Sequence, residues 1–319
     1  MFYDAQVSKE LSMEEQLRHV YAAMQHLKFG RPTVEIAEEM GVSRFAVGRM
    51  VKYAREQGLV EVTPRLPDPV DATLSKALAS SYGLESAIVC IPAAGGDKAA
   101  RAAIAAVASK LLSELIEEDD IVGLGPGRTI LETCARIENA PNCDLVQLTG
   151  VASTDDDNLQ VIMELRRVAQ GRMFPLHSPF IATDHVAAQV IRSQPGVRQA
   201  LKRMDLLDKA VFTVGGWPHS SLLASLLNEA GELGPLMEQG VAAEIGTTLL
   251  DNHGGELHLL DDRMIGITTQ QLAAVPLKVA LGGGPGKERA VIAALKSGLV
   301  DTLVTDAGTA RAAMAAVKR

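Results

Sequence analysis

Residues 121–129 read IVGLGPGRT. A short apolar run passes through three glycines into Arg128 and Thr129, where a helical pattern begins, so the stretch is a strand feeding a helix. That succession is the repeating unit of an α/β domain. The glycines stand at Gly123, Gly125 and Gly127. This is not the G-x-G-x-x-G of a dinucleotide fold, and the GK[ST] of a Walker loop is absent. The stretch still offers backbone amides that can crowd an anion, the positive end of a helix, a guanidinium fork and a hydroxyl. A tight turn that binds nothing would have the same composition.

Working outward, short β-branched or apolar runs predict strands at Ala87–Ile91, Ile121–Gly125, Leu145–Thr149, Val211–Gly215, Leu277–Leu281 and Thr302–Thr305. Between them, longer patterns predict helices at Lys98–Glu118, Arg128–Glu138, Asn158–Gln170, Ser220–Ala230, Lys287–Gly298 and Ala307–Val317. The alternation predicts a Rossmann-like α/β domain over residues 72–319, a parallel sheet with helices on both faces. In such sheets ligands sit beyond the carboxyl ends of the strands. A second loop there, LGGGPGK over 281–287, contributes Gly283 and Gly284. It places Lys287 at a helix start, where a lysine opposes the helix dipole unless it faces an anion. Two glycine loops with cations point to a phosphate-type or polyol-type ligand. Thr149-Gly150 and Thr305-Asp306 add small polar groups at strand ends. Glu244, within the apolar GVAAEIG, and Asp251 are carboxylates able to accept from sugar hydroxyls; a solvated loop charge accounts for Asp251 equally well.

Upstream, residues 31–62 read RPTVEIAEEMGVSRFAVGRMVKYAREQGLVEV. Val34, Ile36, Ala37 and Met40 give Thr33–Met40 an inward helical face. Gly41 supplies the left-handed turn, and Ser43 stands where an N-cap belongs. The next helix, Arg44–Gln57, keeps Val47, Met50, Val51 and Ala54 on one side and Arg44, Arg49, Lys52 and Arg55 on the rest, with no acidic residue from Gly41 to Arg55. A helix, a glycine turn and a basic helix are the parts of a DNA-binding helix-turn-helix. A helical hairpin with a solvated basic face is the plainer alternative. The candidate DNA contacts are Thr33, Ser43, Arg44, Phe45, Gly48, Arg49 and Lys52. Leu59–Val62 is expected to pack as a short extended wing. Ser12–Phe29 reads as a preceding helix, with Ser12 and Glu15 at capping-box spacing and Leu17, Val20, Tyr21, Met24 and Leu27 inward. Residues 1–12 read as a loose arm. The division is therefore 1–62 for DNA, 63–71 (TPRLPDPVD) as a proline-rich linker, and 72–319 for a ligand.

The chain has 319 residues, is 47% hydrophobic and carries a net charge of −8. Residues 1–65 hold nine basic and nine acidic side chains, so the whole excess lies in the body. An acidic body repels DNA, which confines contact to the basic helix and favours an oligomer. Cys90, Cys134 and Cys143 form no CxxC or Cys/His cluster, so no disulfide framework or metal site is expected, and the thiols read as reduced in a cytoplasm. No cofactor is indicated. No apolar run approaches the roughly 20 residues of a membrane span.

The ordered set of segments resembles the SorC family of bacterial sugar-responsive transcription regulators. IAEEMGVSRFAVGRMVKYAREQGLVEV is similar to the family's helix-turn-helix, GLGPGRT to its Gly-Arg-Thr loop, VQLTG to its next strand end and GVAAEIG to its acid-bearing segment. LGGGPGKERAVIAALKSGLVDTLVTDAGTARAAM resembles the family's ending almost throughout. The resemblance implies an effector domain similar to ribose-5-phosphate isomerase and CoA-transferase folds. It also implies a phosphorylated sugar or free polyol as effector and a tetramer, or a dimer, acting on the operator DNA of a sugar-catabolic operon. By resemblance, Gly125–Thr129 and Lys287 hold the phosphate end, and Glu244 the sugar hydroxyls. Pro126 stands where members often have tryptophan, and Ala243 replaces the glycine before the acid, which leaves the sugar open. The competing reading is a sugar-phosphate enzyme of isomerase-like fold, but an enzyme has no use for a basic helix-turn-helix. A nucleotide sensor lacks its phosphate-loop spacing.

Overall fold

Ser12 starts the first helix, α1 (Met13–Leu27), as a complete capping box: its hydroxyl accepts from the Glu15 amide at 3.3 Å, and the Glu15 carboxylate accepts from the Ser12 amide at 2.9 Å. Gly41, at φ 66°, ends α2 (Thr33–Met40), and the Ser43 hydroxyl caps α3 (Arg44–Glu56) through the Ala46 amide at 3.2 Å. The computed structural model describes residues 11–61, 69–152, 161, 163–164, 166–167 and 169–317. The chain divides into two compact units, Met1–Pro67 and Asp68–Arg319.

The small unit closes on Ala22, Ala23, Ile36, Ala37, Val47, Val51 and Ala54. Its inner face on α1 departs from expectation, because Leu17 and Tyr21 are exposed, as is Val34 on α2. Alanines 22 and 23 take the inner positions and let the helices approach closely. The Tyr21 hydroxyl instead donates to Glu39, which also pairs with Arg31. Leu59 and Val60 pack against the core without forming a strand. Glu61 is exposed, and Val62, the last residue of the expected wing, lies outside the described residues.

In the large unit Val70 bridges to Cys90, and Asp71 caps α4 (Ala72–Tyr82) by accepting from the Leu74 amide at 2.9 Å. The last residues of the expected linker therefore belong to the body, while 62–68 lie outside the described residues. Then follow β1 (Ser86–Cys90), α5 (Asp97–Leu115), β2 (Ile121–Leu124), α6 (Arg128–Arg136), β3 (Asp144–Gln147), β4 (Met173–Phe174), α7 (His185–Ser193) and α8 (Pro195–Arg203). The second half runs β5 (Lys209–Thr213), β6 (Gly215–Gly216), α9 (Leu222–Glu229), α10 (Leu233–Glu238), β7 (Ala243–Ile245), β8 (Thr248–Leu250) and β9 (Glu256–Leu257). It ends with α11 (Thr269–Ala274), β10 (Leu277–Leu281), α12 (Glu288–Lys296), β11 (Thr302–Asp306) and α13 (Ala307–Val317). Of the expected helix at Asn158–Gln170, residues 161, 163, 164 and 166 are helical, and 158–160, 162, 165 and 168 lie outside the described residues.

Among the described residues, seven strands form one parallel sheet in the order β1-β11-β10-β5-β2-β3-β4. Its side chains alternate between two layers. Leu303 joins the layer of Val89, Phe212 and Ala280, while its neighbour Val304 joins that of Ile104, Leu124 and Ile130. All three cysteines are buried, and burial pushes Cys134 up to about 12 and Cys143 to about 11.

The expected strand Val211–Gly215 is in fact two. The chain leaves the parallel sheet after Thr213, and Gly215–Gly216 opens a second, antiparallel sheet in the order β6-β7-β8-β9. The expectation missed this sheet because its strands are two or three residues long and poor in β-branched side chains. Trp217, Leu223, Leu227, Leu236, Leu249 and Leu260 pack beneath it.

Candidate functional site

The carboxyl ends of β2, β5 and β10, the start of α5 and the edge of the second sheet enclose a cleft of about 460 Å³. Gly127, Arg128, Thr129, Glu244, Gly283 and Lys287, scattered through the sequence, all line it. Gly127 adopts φ 122°, open only to glycine, and a Cβ there would stand 3.0 Å from the Thr213 hydroxyl. That hydroxyl donates to the Pro126 carbonyl at 2.9 Å and ties the β2 loop to β5. Gly125 is fixed by packing, since a Cβ would meet Phe212 at 3.1 Å.

Asp306 shapes the other glycine loop. It accepts from the amides of Gly284 (2.6 Å) and Gly308 (2.8 Å) and from the Thr309 hydroxyl (2.6 Å). Burial pushes its carboxyl up, but these donors together hold it below the ordinary value. Gly283 must lack a side chain because a Cβ would stand 2.5 Å from the Asp306 carboxylate. Asp306 and Gly284 thus act as scaffold for Lys287.

Three cations converge at one end of the cleft. Arg101 reaches Glu132 at 2.8 Å and Asp97 at 2.7 Å, and Arg128, mostly exposed, lies 3.8 Å from the same Asp97. Lys287 is half-buried and makes no ion pair among the described residues. Burial lowers its pKa, Asp97 opposes the shift, and Arg128 and Arg101 add to it. A buried cation in this state gains most from an added anion.

At the floor lies Glu244, buried at 8% exposure. Its Oε2 accepts from the Ser221 hydroxyl at 2.7 Å and the Trp217 indole N–H at 2.8 Å. Burial raises its carboxyl to about 7, against the donors Ser221, Trp217 and the Leu223 amide. The cleft therefore has a cationic end and a hydrogen-bonding floor. That is complementary to a molecule with an anion at one end and hydroxyls along its length.

Six expected residues lie outside this lining: Gly125, Gly284 and Asp306, which shape its loops, and Thr149, Gly150 and Asp251, which stand elsewhere. Thr149 pairs with Gly266 and is fully buried. Gly150 sits under the Pro179 carbonyl, 2.2 Å from where its Cβ would be. Asp251 accepts from the amides of His253 (2.7 Å) and Gly255 (2.8 Å) in a turn. Conversely Asp97, Arg101, Thr213 and Ser221 line the cleft unforeseen. The glycines of PAAGGD after β1 were a usable signal for Asp97, whereas nothing in the sequence singles out Ser221.

In the small unit, Arg44, Phe45, Gly48, Arg49 and Lys52 are exposed on α3, and Thr33 is half-buried at the start of α2. Ser43 is engaged as the cap of α3. Among the described residues no helix is long and apolar enough to cross a membrane, and no group of His, Cys, Asp or Glu gathers as a metal site.

Residues 70–315 match the family model described as "Putative sugar-binding domain". The chain belongs to that family. Relatives of similar length extend the likeness through the small unit. The uncharacterized transcriptional regulator YjhU of Escherichia coli K12 is 27% identical over 307 residues, 91% of this chain and 92% of that one. The deoxyribonucleoside regulator of Bacillus subtilis 168 is 24% identical, covering 95% of this chain and 98% of that one. The full-length sorbitol operon regulator SorC from Klebsiella pneumoniae shares the fold with TM-score 0.67 at 21% identity, over 94% of this chain and 99% of that one. The chain is a SorC-type transcriptional regulator with a sugar-binding domain, and its relatives are named as regulators, not enzymes.

Proposed function

We propose that this SorC-type regulator controls an operon for sugar or polyol catabolism, and that its effector is a phosphorylated sugar, or a polyol, bound in the cleft. One observation carries the reading: Lys287, without an ion pair among the described residues, stands beside Arg128 and Thr129 at one end, with the Glu244 carboxylate as floor. The phosphate lies against Lys287, the Thr129 hydroxyl and the start of α6, and sugar hydroxyls donate to Glu244. The α3 helix enters the major groove of operator DNA, with Arg44, Arg49 and Lys52 on bases and phosphates. The acidic body makes one helix a weak binder, so the regulator acts in the cytoplasm as a homo-oligomer, a tetramer or a dimer, that presents paired helices to paired half-sites. Residues 1–62 act as the DNA module, and the body, which takes in Val70 and Asp71, acts as the effector module. Effector changes operator affinity by binding the DNA-competent and incompetent arrangements unequally.

The test is a thermal-shift series with pentose and hexose phosphates, their unphosphorylated parents and the matching polyols, followed by operator titrations with whichever stabilises. Stabilisation by one chemical class, with altered operator affinity and no turnover, is expected. Turnover of a sugar phosphate, or no stabilisation by any member, overturns the reading.

A further inference from the structure

Phe45 is the second residue of α3, and it stands 66% exposed. It is absent from the core of its unit, which the same helix supplies through Val47, Val51 and Ala54. Neither packing nor capping requires an aromatic side chain there. The Arg44 guanidinium lies over the Phe45 ring, 4.8 Å from its centroid. Arg44 makes no ion pair among the described residues, and no acidic residue stands between it and Arg55. This guanidinium thus rests against an aromatic ring, and its N–H groups have no hydrogen-bond partner among the described residues.

One turn along the helix, Gly48 is exposed, and a Cβ on it would meet nothing within 4 Å. The space beside Phe45 is therefore open. Phe45, Gly48, Arg49 and Lys52 follow one another at helical spacing, an outward stripe of aromatic ring, bare backbone and two cations. Lys52 lies 3.7 Å from Glu56, but Arg44 and Arg49 make no ion pair among the described residues. Their positive charge selects a polyanion as the partner, and an exposed ring within it selects an apolar group on that partner. In the major groove of DNA the apolar group is the C5-methyl of thymine. A guanidinium beside that ring offers the paired N–H donors that match the O6 and N7 acceptors of guanine.

We propose that Arg44 and Phe45 act as one unit that reads a thymine followed by guanine on the same strand. Phe45 packs on the thymine methyl, and Arg44, positioned by the ring, donates two N–H groups to the adjacent guanine. This rests on the reading of α3 as the DNA-contacting helix, and it names the base step that helix selects.

The full-length protein is first used to select its preferred sites from a pool of randomised duplexes. Fluorescence anisotropy then compares the selected duplex with one carrying deoxyuridine at the thymine, which deletes only the methyl, and one carrying 5-methylcytosine paired with guanine, which restores it. A thymine–guanine step is expected in the selected site. Removing the methyl weakens wild-type binding about fourfold, the worth of one buried methyl group, and 5-methylcytosine recovers part of the loss. Phe45→Ala binds the thymine and uracil duplexes equally. Arg44→Lys loses about tenfold of the preference for guanine at the neighbouring position. Indifference of the wild type to the methyl overturns the proposal, as does a Phe45→Ala protein that still distinguishes the two duplexes. Because the deciding change is made in the DNA, misfolding of a variant does not obscure it. Failure of the wild type to enrich any sequence is a separate result that removes the DNA-binding reading and this proposal with it.

Discussion

Gly215 and Glu244 pair across two antiparallel strands so closely that a β-carbon on the glycine would stand 2.6 Å from the Glu244 Oε1. The cleft floor keeps its shape because residue 215 has no side chain. Gly215→Ala should therefore displace the carboxylate and destabilise the body by about 1–3 kcal/mol, the usual cost of overpacking. Urea unfolding measures the loss, and effector response should fall with it. A variant of wild-type stability and response would show that the floor yields easily.

Glu244 also sets a pH dependence. Its carboxyl is raised from 4.5 to about 7 by burial. In this window the folded state holds a proton that the unfolded state has released. Stability should therefore fall as pH rises from about 4.5 to about 7 and level off above it, by up to about 3 kcal/mol from this group. Glu244→Gln should flatten that slope. Unfolding curves at pH 5 and pH 8 for both proteins provide the check. A ligand whose hydroxyls donate to the carboxylate should release a proton on binding near pH 7, seen as a buffer-dependent heat in calorimetry.

Lys287→Ala should weaken a phosphorylated effector by about 1.5–3 kcal/mol, the range for a charge-assisted hydrogen bond. Operator affinity without effector should persist. Anisotropy titrations with and without effector separate the two. A variant responding at wild-type effector concentrations would reduce this loop to a structural turn.

Asp97 faces the same cations from the other side. Its replacement in Asp97→Asn removes an acid that lies within ion-pair distance of both Arg101 and Arg128. A phosphorylated effector should bind several-fold more tightly, whereas a neutral polyol should be unaffected. The direction of change thus reports whether the natural effector is an anion.

The double variant Arg44→Ala, Arg49→Ala should lose specific operator binding while its thermal melt stays near wild type, since both side chains are exposed. A guanine contact is worth about 1–3 kcal/mol. Unchanged operator affinity would exclude α3 as the reading helix.

The parallel sheet was legible because its strands are buried on both faces and read as apolar runs such as Leu277–Leu281. Helix starts were legible at the caps Ser12 and Ser43, whereas the starts capped by Asp71, Asp184 and Thr268 went unread because the helices behind them are short. The second sheet was not, because strands as short as Gly215–Gly216 carry no period to detect. In the cleft, cations at glycine loops announced themselves through a conflict with the helix dipole, as Lys287 does. Asp251 and Thr149 sit at equally suggestive places in the sequence, yet their roles depend on neighbours such as Gly255 and Gly266 that only the folded chain supplies. Leu17 misled for the opposite reason: its spacing is that of a core residue, but Ala22 and Ala23 occupy that space.

The exit of the chain from the parallel sheet after Thr213 has a mechanical outcome. Lys287 is mounted at the end of a parallel strand, Glu244 on the antiparallel sheet, and Val214 alone joins β5 to β6. The helix beginning at Glu288 lies against β6, with Ala290 3.6 Å from where a Gly216 β-carbon would be. The two jaws are thus braced against each other before any ligand arrives, and the gap between them is fixed by packing. Such a cleft works as a caliper. If the effector spans both jaws as proposed, a molecule with the right end groups but one carbon too few should reach one jaw and leave the other unsatisfied, so that chain length is selected together with charge.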